Sequence, residues 1–524
     1  MSFKKGGRTL SYHLMSWMSK TNMPAAQPPG DIPGQRAIWL TIAAVGLVVV
    51  LTTVRFGILA SGIVELSGDE AHYWEWSRRL DWSYYSKPPG VAYAIRLGTL
   101  LFGHTELGVR FAAPILSGLS SLMMYLLARR MYDRQAGLVA AMLIQVIPIF
   151  SGLGIGMTPD TLLIFFWTLS LYLLYRAWTE GRALYWLLLG VAIGLGLLSK
   201  YAICFIYIPG LLLLLSTGEG RCRLRTVWPY LCLCLSLLFF APVVVWNSRH
   251  GWVMFRHDMG HVRTAGGFVP SGTSLLGFVG GQAAAITPVL LVLMIYLVIR
   301  RRGEEPFCFW LTIPILGGFL AKAIFGKVQP NWPMVGWLAG LPCLGQFIVR
   351  DWHVLNRAQR RIMWIGLVIP VTATMLIHAP MVLLRIPWPE GLNPLNRLIG
   401  WRELGGKVSG QACGMDGPYF ILSDHYMVAS ELAFYMDGRP YVYCVNLGRR
   451  MNQYDIWQDL DNLVGRDAIY VSSRPMPEAL MGAFEHVVGD RIAIHDALGR
   501  HIKTFYIYKC QGFKGWTQGG FRRY

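Results

Sequence analysis

Charge is what this 524-residue sequence has least of: 15% of the residues are Asp, Glu, Lys or Arg, 54% are hydrophobic, and the mean hydropathy is +0.41. That balance excludes a soluble globular protein of this length. Acid is scarcer than base, 29 Asp and Glu against 48 Lys and Arg, for a formal charge of +19. The basic residues are spread over short loops between apolar runs, not gathered in one basic domain. Nucleic acid is therefore excluded as the partner, and the bias that places Lys and Arg on the cytosolic side of a membrane explains the charge. The nine cysteines show no CxxC and no Cys/His zinc spacing. Most lie in or near apolar runs as small core residues. The three in the polar tail, Cys413, Cys444 and Cys510, allow at most one disulfide. There is no Gly-rich phosphate loop and no nucleophile elbow. No internal repeat stands out, and the ionisable residues outside the basic loops cluster at one face of the apolar runs, unlike repeat-built transporters.

What is present is a series of apolar runs near the roughly 20-residue length needed to cross a bilayer. Residues 1–36 read as a polar cytosolic tail, and the late, long first apolar run argues against a cleaved signal peptide. Residues 37–384 read as a transmembrane domain of about eleven spans, with a first outer loop at 61–107. The run from Leu184 to Ser216 is too long for one crossing and divides at Ser199-Lys200; a single tilted helix with a buried lysine is the alternative. Basic clusters fall on one side at alternate loops. Asp69, Lys87, Asp160, Lys200, His257, His261 and Lys327 fall on the other. Residues 385–524 read as a polar α/β domain in the order strand, helix, strand, strand, helix, strand, suited to capping the membrane site or binding an acceptor. The fold class is a polytopic α-helical membrane protein with a C-terminal α/β extramembrane domain.

The densest chemistry lies in Glu65–Gly90, where five acids, four basic residues and six aromatics, Tyr85 among them, separate two apolar stretches. Ionisable groups beside a bilayer are costly unless they act. A helix from Ser67 would put Asp69, His72, Trp76 and Arg79 on one face, with Asp69 in the first turn beside free N–H groups. Ser67 and Glu70 form a capping-box pattern, so Glu70 either closes the helix start or shares the chemistry. Asp160 in Thr-Pro-Asp either starts a helix or serves a site. Lys200 either snorkels or binds. The His257/His261 spacing is compatible with a metal and equally with an inert loop pair.

Taken together, the Asp-Glu after the first span, the aromatic juxtamembrane helix, the Lys87-Pro88 turn, Thr-Pro-Asp after the third span and the lysine after the fifth resemble the GT-C membrane glycosyltransferases. The branch is that of the protein O-mannosyltransferases and the aminoarabinose transferases of lipid A. The resemblance covers roughly residues 37–350. It implies a polyprenyl-phosphate sugar donor, an acceptor hydroxyl on a protein, lipid A, lipopolysaccharide or another glycolipid, and an inverting displacement at the periplasmic face of a bacterial inner membrane. By position, Asp69 matches the base and Glu70 its partner. Lys87 matches the lysine of the Lys-Pro turn and Lys200 that of the fifth-to-sixth span turn; these two, with Arg263 and Arg55 in reserve, are the expected donor-phosphate ligands. Asp160 matches the acid of the second outer loop, Asn331 lies where the family approaches its donor, and His261, just before Arg263, resembles a His of the fourth outer loop; His72, Tyr85, Asp160 and Asn331 are the expected substrate contacts and His261 the candidate metal ligand. No cofactor is required by these motifs, and a divalent metal is left open. Two positions depart from the aminoarabinose branch: Ser86 replaces a metal-binding Glu, and His72 replaces an Arg. A transporter or flippase of lipid-linked sugars is the alternative reading.

The implied chemistry agrees with the residue types. A phosphate diester leaves as a stable anion and needs positive charge where that anion forms. The attacking hydroxyl needs a base in line with the anomeric carbon.

Overall fold

The computed structural model describes residues 34–262, 270–388, 393–415, 417–496 and 498–516. The chain divides into a small unit, Met1–Trp39, and a large one, Leu40–Tyr524. Among the described residues six helices are long and apolar enough to cross a membrane: Ile38–Ala60, Glu106–Met131, Pro159–Glu180, Trp228–Arg249, Pro306–Phe325 and Arg357–Ile377. The number rises to eight if two bent pairs, Tyr201–Ser216 with Gly218–Leu224 and Gly272–Ile286 with Pro288–Arg300, each count as one span. This is fewer than the about eleven expected from run length. The difference lies in breaks: the expected third span is Arg134–Val146 followed by Pro148–Leu153, with proline starting the second piece. The expected tenth is Met334–Leu338 and Leu341–Arg350, again restarted beside a proline. Proline lacks the N–H that would carry a helix through.

Exposed Val49, Val50, Leu237, Leu238 and Ile365 line the outer faces of the long helices. Such side chains are stable where lipid, not water, is the solvent. The Leu184–Ser216 run breaks as the length argument requires. The helix Ala183–Leu197 ends, Lys200 is extended, and a 3-10 turn at Tyr201–Ile206 leads into Tyr207–Ser216. The first outer loop contains a helix that run length did not announce, Gly90–Phe102, with Leu97, Leu100, Leu101 and Phe102 exposed.

The C-terminal region carries a five-stranded mixed sheet of order β2-β1-β3-β5-β4, with β1 Tyr419–Ser423, β2 Val442–Cys444, β3 Asp467–Ser472, β4 His486–His495 and β5 His501–Gln511. β1 pairs in parallel with β2 and β3, while β5 runs antiparallel to β3 and β4. β4, absent from the sequence reading, is an edge strand with little of its surface buried. All nine cysteines are free.

This domain packs onto the first outer loop, and one apolar core runs through both. Leu66, Ala71, Trp74 and Trp76 of the loop pack with Leu404, Val428, Leu432, Phe434 and Ile469 of the domain. Polar ties fix the register of the two pieces. The Glu65 N–H donates to Leu398 O (2.9 Å), Trp401 N–H to Glu65 Oε2 (2.6 Å) and Leu66 N–H to the Tyr435 hydroxyl (2.8 Å).

Candidate active site at the outer loops

The loop helix Gly68–Arg78 starts as its sequence dictates. Ser67 is the N-cap, its Oγ accepts from the Glu70 N–H (3.4 Å), and Glu70 Oε2 accepts from the Ser67 N–H (3.0 Å). Glu70 does more than cap. Arg110, near the start of the second long span, grips it through Nε to Oε1 and Nη2 to Oε2, both at 2.7 Å. The Met157 N–H donates to Oε1 at 2.9 Å, and Ser67 Oγ to Oε2 at 3.0 Å. Burial alone would raise this carboxyl; Arg110 and the N–H donors carry it below the usual range. Glu70 therefore fastens together the loop helix, the second span and the turn at Met157 that leads into the Asp160 helix. Asp69, one residue earlier, is exposed, and its Oδ1 accepts from the hydroxyl of Tyr426 in the C-terminal domain at 2.9 Å.

Asp160 does not cap its helix. Thr158 is the N-cap and forms a box with Thr161. The Asp160 side chain instead pairs with Lys200, Nζ to Oδ1 at 2.6 Å, and its Oδ2 accepts from Asn331 Nδ2 at 3.0 Å. Three segments distant in sequence thus meet at one carboxylate. The Lys87 turn joins them through backbone: the Gly90 N–H donates to Leu198 O at 2.7 Å. A Cβ on Gly90 would lie 2.8 Å from that oxygen and 3.0 Å from Ser199 Cα, so only glycine allows the two lysine turns to touch. The Lys87 ammonium lies 5.9 Å from the Tyr201 ring centre. Burial and then the Lys200 charge lower its pKa, while Asp258, Asp160 and Asp69 act in the opposite sense. Two cations and three carboxylates therefore share one electrostatic neighbourhood.

Asp258, Tyr201 and Tyr426 are members of this cluster that sequence reading did not single out. Asp258 lies on the helix Val253–Val262; burial raises its carboxyl pKa, and Lys87 and then the Tyr201 hydroxyl act in the opposite sense. The signal for Tyr201 was present, since it follows Lys200 at the broken span. Tyr426 had no local signal.

Other expected residues lie elsewhere. His72 is buried against the C-terminal domain. Its Nδ1 is 3.1 Å from Ser430 Oγ and its Nε2 accepts from Trp76 Nε1 at 3.2 Å, so both ring nitrogens are engaged within the protein. Burial, then Arg449, push its pKa down to about 3, which leaves it neutral. Tyr85 is buried, its N–H donates to Gln453 Oε1 at 2.5 Å, and its ring meets that of His257 edge-on at 4.9 Å. Arg55 is enclosed among the spans, donating to His378 Nε2 at 3.0 Å and Ser117 Oγ at 2.8 Å. Arg263 and the His261 side chain lie outside the described residues. Among the described residues no three His, Cys, Asp or Glu side chains gather closely enough to hold a metal ion.

Fold and site together define a multi-pass membrane protein with acids and lysines collected at one end of its spans. Residues 86–246 match the family model described as dolichyl-phosphate-mannose-protein mannosyltransferase. The lipid A galacturonosyltransferase RgtD of Rhizobium johnstonii is 26% identical over 408 residues, 76% of this chain and 83% of that protein. An undecaprenyl phosphate-alpha-4-amino-4-deoxy-L-arabinose arabinosyl transferase of Pseudomonas aeruginosa is 37% identical over 122 residues, 22% of each chain. The apo crystal structure of ArnT from Cupriavidus metallidurans superposes with a TM-score of 0.62 at 18% identity, covering 91% of this chain and 98% of that one. The chain shares the fold of ArnT and is similar in sequence to membrane glycosyltransferases.

Proposed function

We propose that the protein transfers a sugar from a polyprenyl-phosphate donor to a hydroxyl of lipid A or a related glycolipid, with inversion, on the periplasmic side of the inner membrane. The Rhizobium relative acts by name on lipid A, and the Pseudomonas relative takes its sugar by name from undecaprenyl phosphate. The N-terminus then faces the cytosol and residues 385–524 the periplasm, as the basic inter-span loops favour.

The observation that carries the reading is the meeting of Lys87, Lys200 and Asp160 from three outer segments beside the exposed Asp69. Lys87 and Lys200 bind the donor phosphate and stabilise the anion that leaves. Asp160 and Asn331 aim Lys200. Asp69 accepts the proton of the acceptor hydroxyl as its oxygen bonds to the anomeric carbon and the sugar–phosphate bond breaks. The same carboxylate steadies oxocarbenium character in the transition state. Glu70 acts through position, holding Asp69 at the helix start.

The test is transfer from a radiolabelled undecaprenyl-phosphate sugar to lipid A by the protein reconstituted in lipid nanodiscs. Asp69→Asn should lower turnover by about 10²–10⁴-fold, the usual contribution of a general base, with folding intact. Wild-type turnover in that variant would remove Asp69 as the base. Donor uptake into vesicles without any product would favour a flippase.

A further inference from the structure

We propose that Tyr426, supplied by the C-terminal domain, is a positioning residue for the base: it holds one oxygen of Asp69 so that the other faces the acceptor. This rests on the reading of Asp69 as base. It gives the extramembrane domain a part in the transfer step that its lack of a catalytic motif does not suggest.

The contact is built from several sides. Tyr426 opens the helix Tyr426–Tyr435, capped by His425, whose side chain accepts from the Met427 N–H. Its ring is stacked on that of His425 (centroids 5.0 Å, planes 22° apart) and leans on His72 at 4.9 Å. The two helices approach so closely that a Cβ on Gly68 would lie 2.5 Å from Met427 Cβ. Gly68 precedes Asp69 and Met427 follows Tyr426, so this backbone contact sets the hydrogen-bonded pair directly. Further along, Ser430 meets His72 and Tyr435 receives the Leu66 N–H. Tyr426 therefore has little freedom to leave Asp69.

The chemistry follows from the inventory of the pair. Burial, then the Asp69 charge, push the Tyr426 phenol pKa up, so it stays a neutral donor throughout the working range. Among the described residues it is the single hydrogen-bond donor to the Asp69 side chain, and it takes Oδ1. Oδ2 receives the acceptor proton. As the new glycosidic bond forms, polyprenyl phosphate departs with the electron pair of the broken bond. Asp69 is left protonated, and Tyr426 is unchanged.

Tyr426→Phe keeps the ring and its stacking but removes the donor. We expect kcat to fall about 10- to 100-fold, as for a reacting group displaced by a fraction of an ångström, with donor KM unchanged. 3-Fluorotyrosine at position 426 keeps both the shape and the hydroxyl donor and should restore wild-type kcat. Wild-type kcat in Tyr426→Phe, with Asp69→Asn inactive, overturns the role of Tyr426 and leaves the base in place. Activity in Asp69→Asn overturns the base itself. Matching melting temperatures exclude a merely structural loss.

Discussion

Replacing Gly68 by alanine changes no group assigned to chemistry, yet it should disable the site. The new methyl would lie 2.5 Å from Met427 Cβ, 2.6 Å from its Cγ and 3.2 Å from its Sδ. Carbon atoms rest at about 3.5–4.0 Å, so the two helices must separate by about 1 Å. Met427 cannot simply swing aside, because its Cβ is fixed to the backbone. Overpacking of this kind costs about 1–3 kcal/mol, offset by about 0.5–1 kcal/mol from replacing glycine in a helix. A net loss of about 0–2.5 kcal/mol is modest for folding. For catalysis, a shift of about 1 Å between Asp69 and Tyr426 is worth up to about 100-fold in rate. The assay is kcat in nanodiscs beside a melting curve: a large fall in rate with a small fall in melting temperature. A second substitution makes the argument sharper. Met427→Gly removes the Cβ and should restore rate to Gly68→Ala, whereas Met427→Ala keeps the clashing atom and should not. Wild-type rate in Gly68→Ala, or equal rescue by alanine and glycine at 427, would refute the steric reasoning.

Two further outcomes concern pH. Burial and Lys200 lower the Lys87 ammonium, so it loses its proton at lower pH than a free lysine, and donor affinity should weaken as pH rises toward that point. Lys87→Arg keeps the charge and should flatten donor KM between pH 7 and 10, with some loss of kcat because a guanidinium is shaped differently; the same alkaline rise in both proteins would assign it to another group. Glu431 is 1% exposed, and neither of its carboxyl oxygens has a hydrogen-bond partner. Burial and then Glu65 raise its pKa well above the usual range against the pull of Lys503. A raised acid gives stability that is present below its unfolded pKa and lost as pH rises toward the folded one. Glu431→Gln should therefore gain on wild type with rising pH by up to about 1.4 kcal/mol per unit above about pH 4.5, read by melting in parallel buffers; a gap that does not change with pH would show that Glu431 is ionised in the fold.

The sequence revealed most where a local physical rule acted. A run too long for one crossing had to break, and the break put Lys200 beside Asp160. Ser67 and Glu70 announced a helix start, and it is there. Arg110 could have been found by the same logic that picked out Lys200, since an arginine at the head of an apolar span needs a partner. Glu70 supplied it, so one member of the Asp69-Glu70 pair is structural. What stayed hidden depends on distant chain segments. The Tyr426–Asp69 bond joins residues 357 positions apart, and nothing near either one marks it. The face expected to present His72 to substrate is the face that the C-terminal domain covers, because helical spacing tells which side chains share a face and not what that face meets. β4 was missed because an edge strand with one buried residue shows no alternation.

Both close approaches at this site are made by glycines next to functional residues. Gly68 lets the C-terminal domain reach Asp69, and Gly90 lets the Lys87 turn touch the Lys200 turn. A side chain at either position would separate groups proposed to act on the same bond. Neither contact contributes charge, and neither needs substrate to form. The site is thus assembled before the donor arrives, and substrate binding energy need not be diverted to gathering it. Flexible tethers between the same segments would leave the lysines and carboxylates free to neutralise one another in other geometries. Here Asp160 holds one lysine, Gly90 places the other, and Asp69 keeps an oxygen free of both.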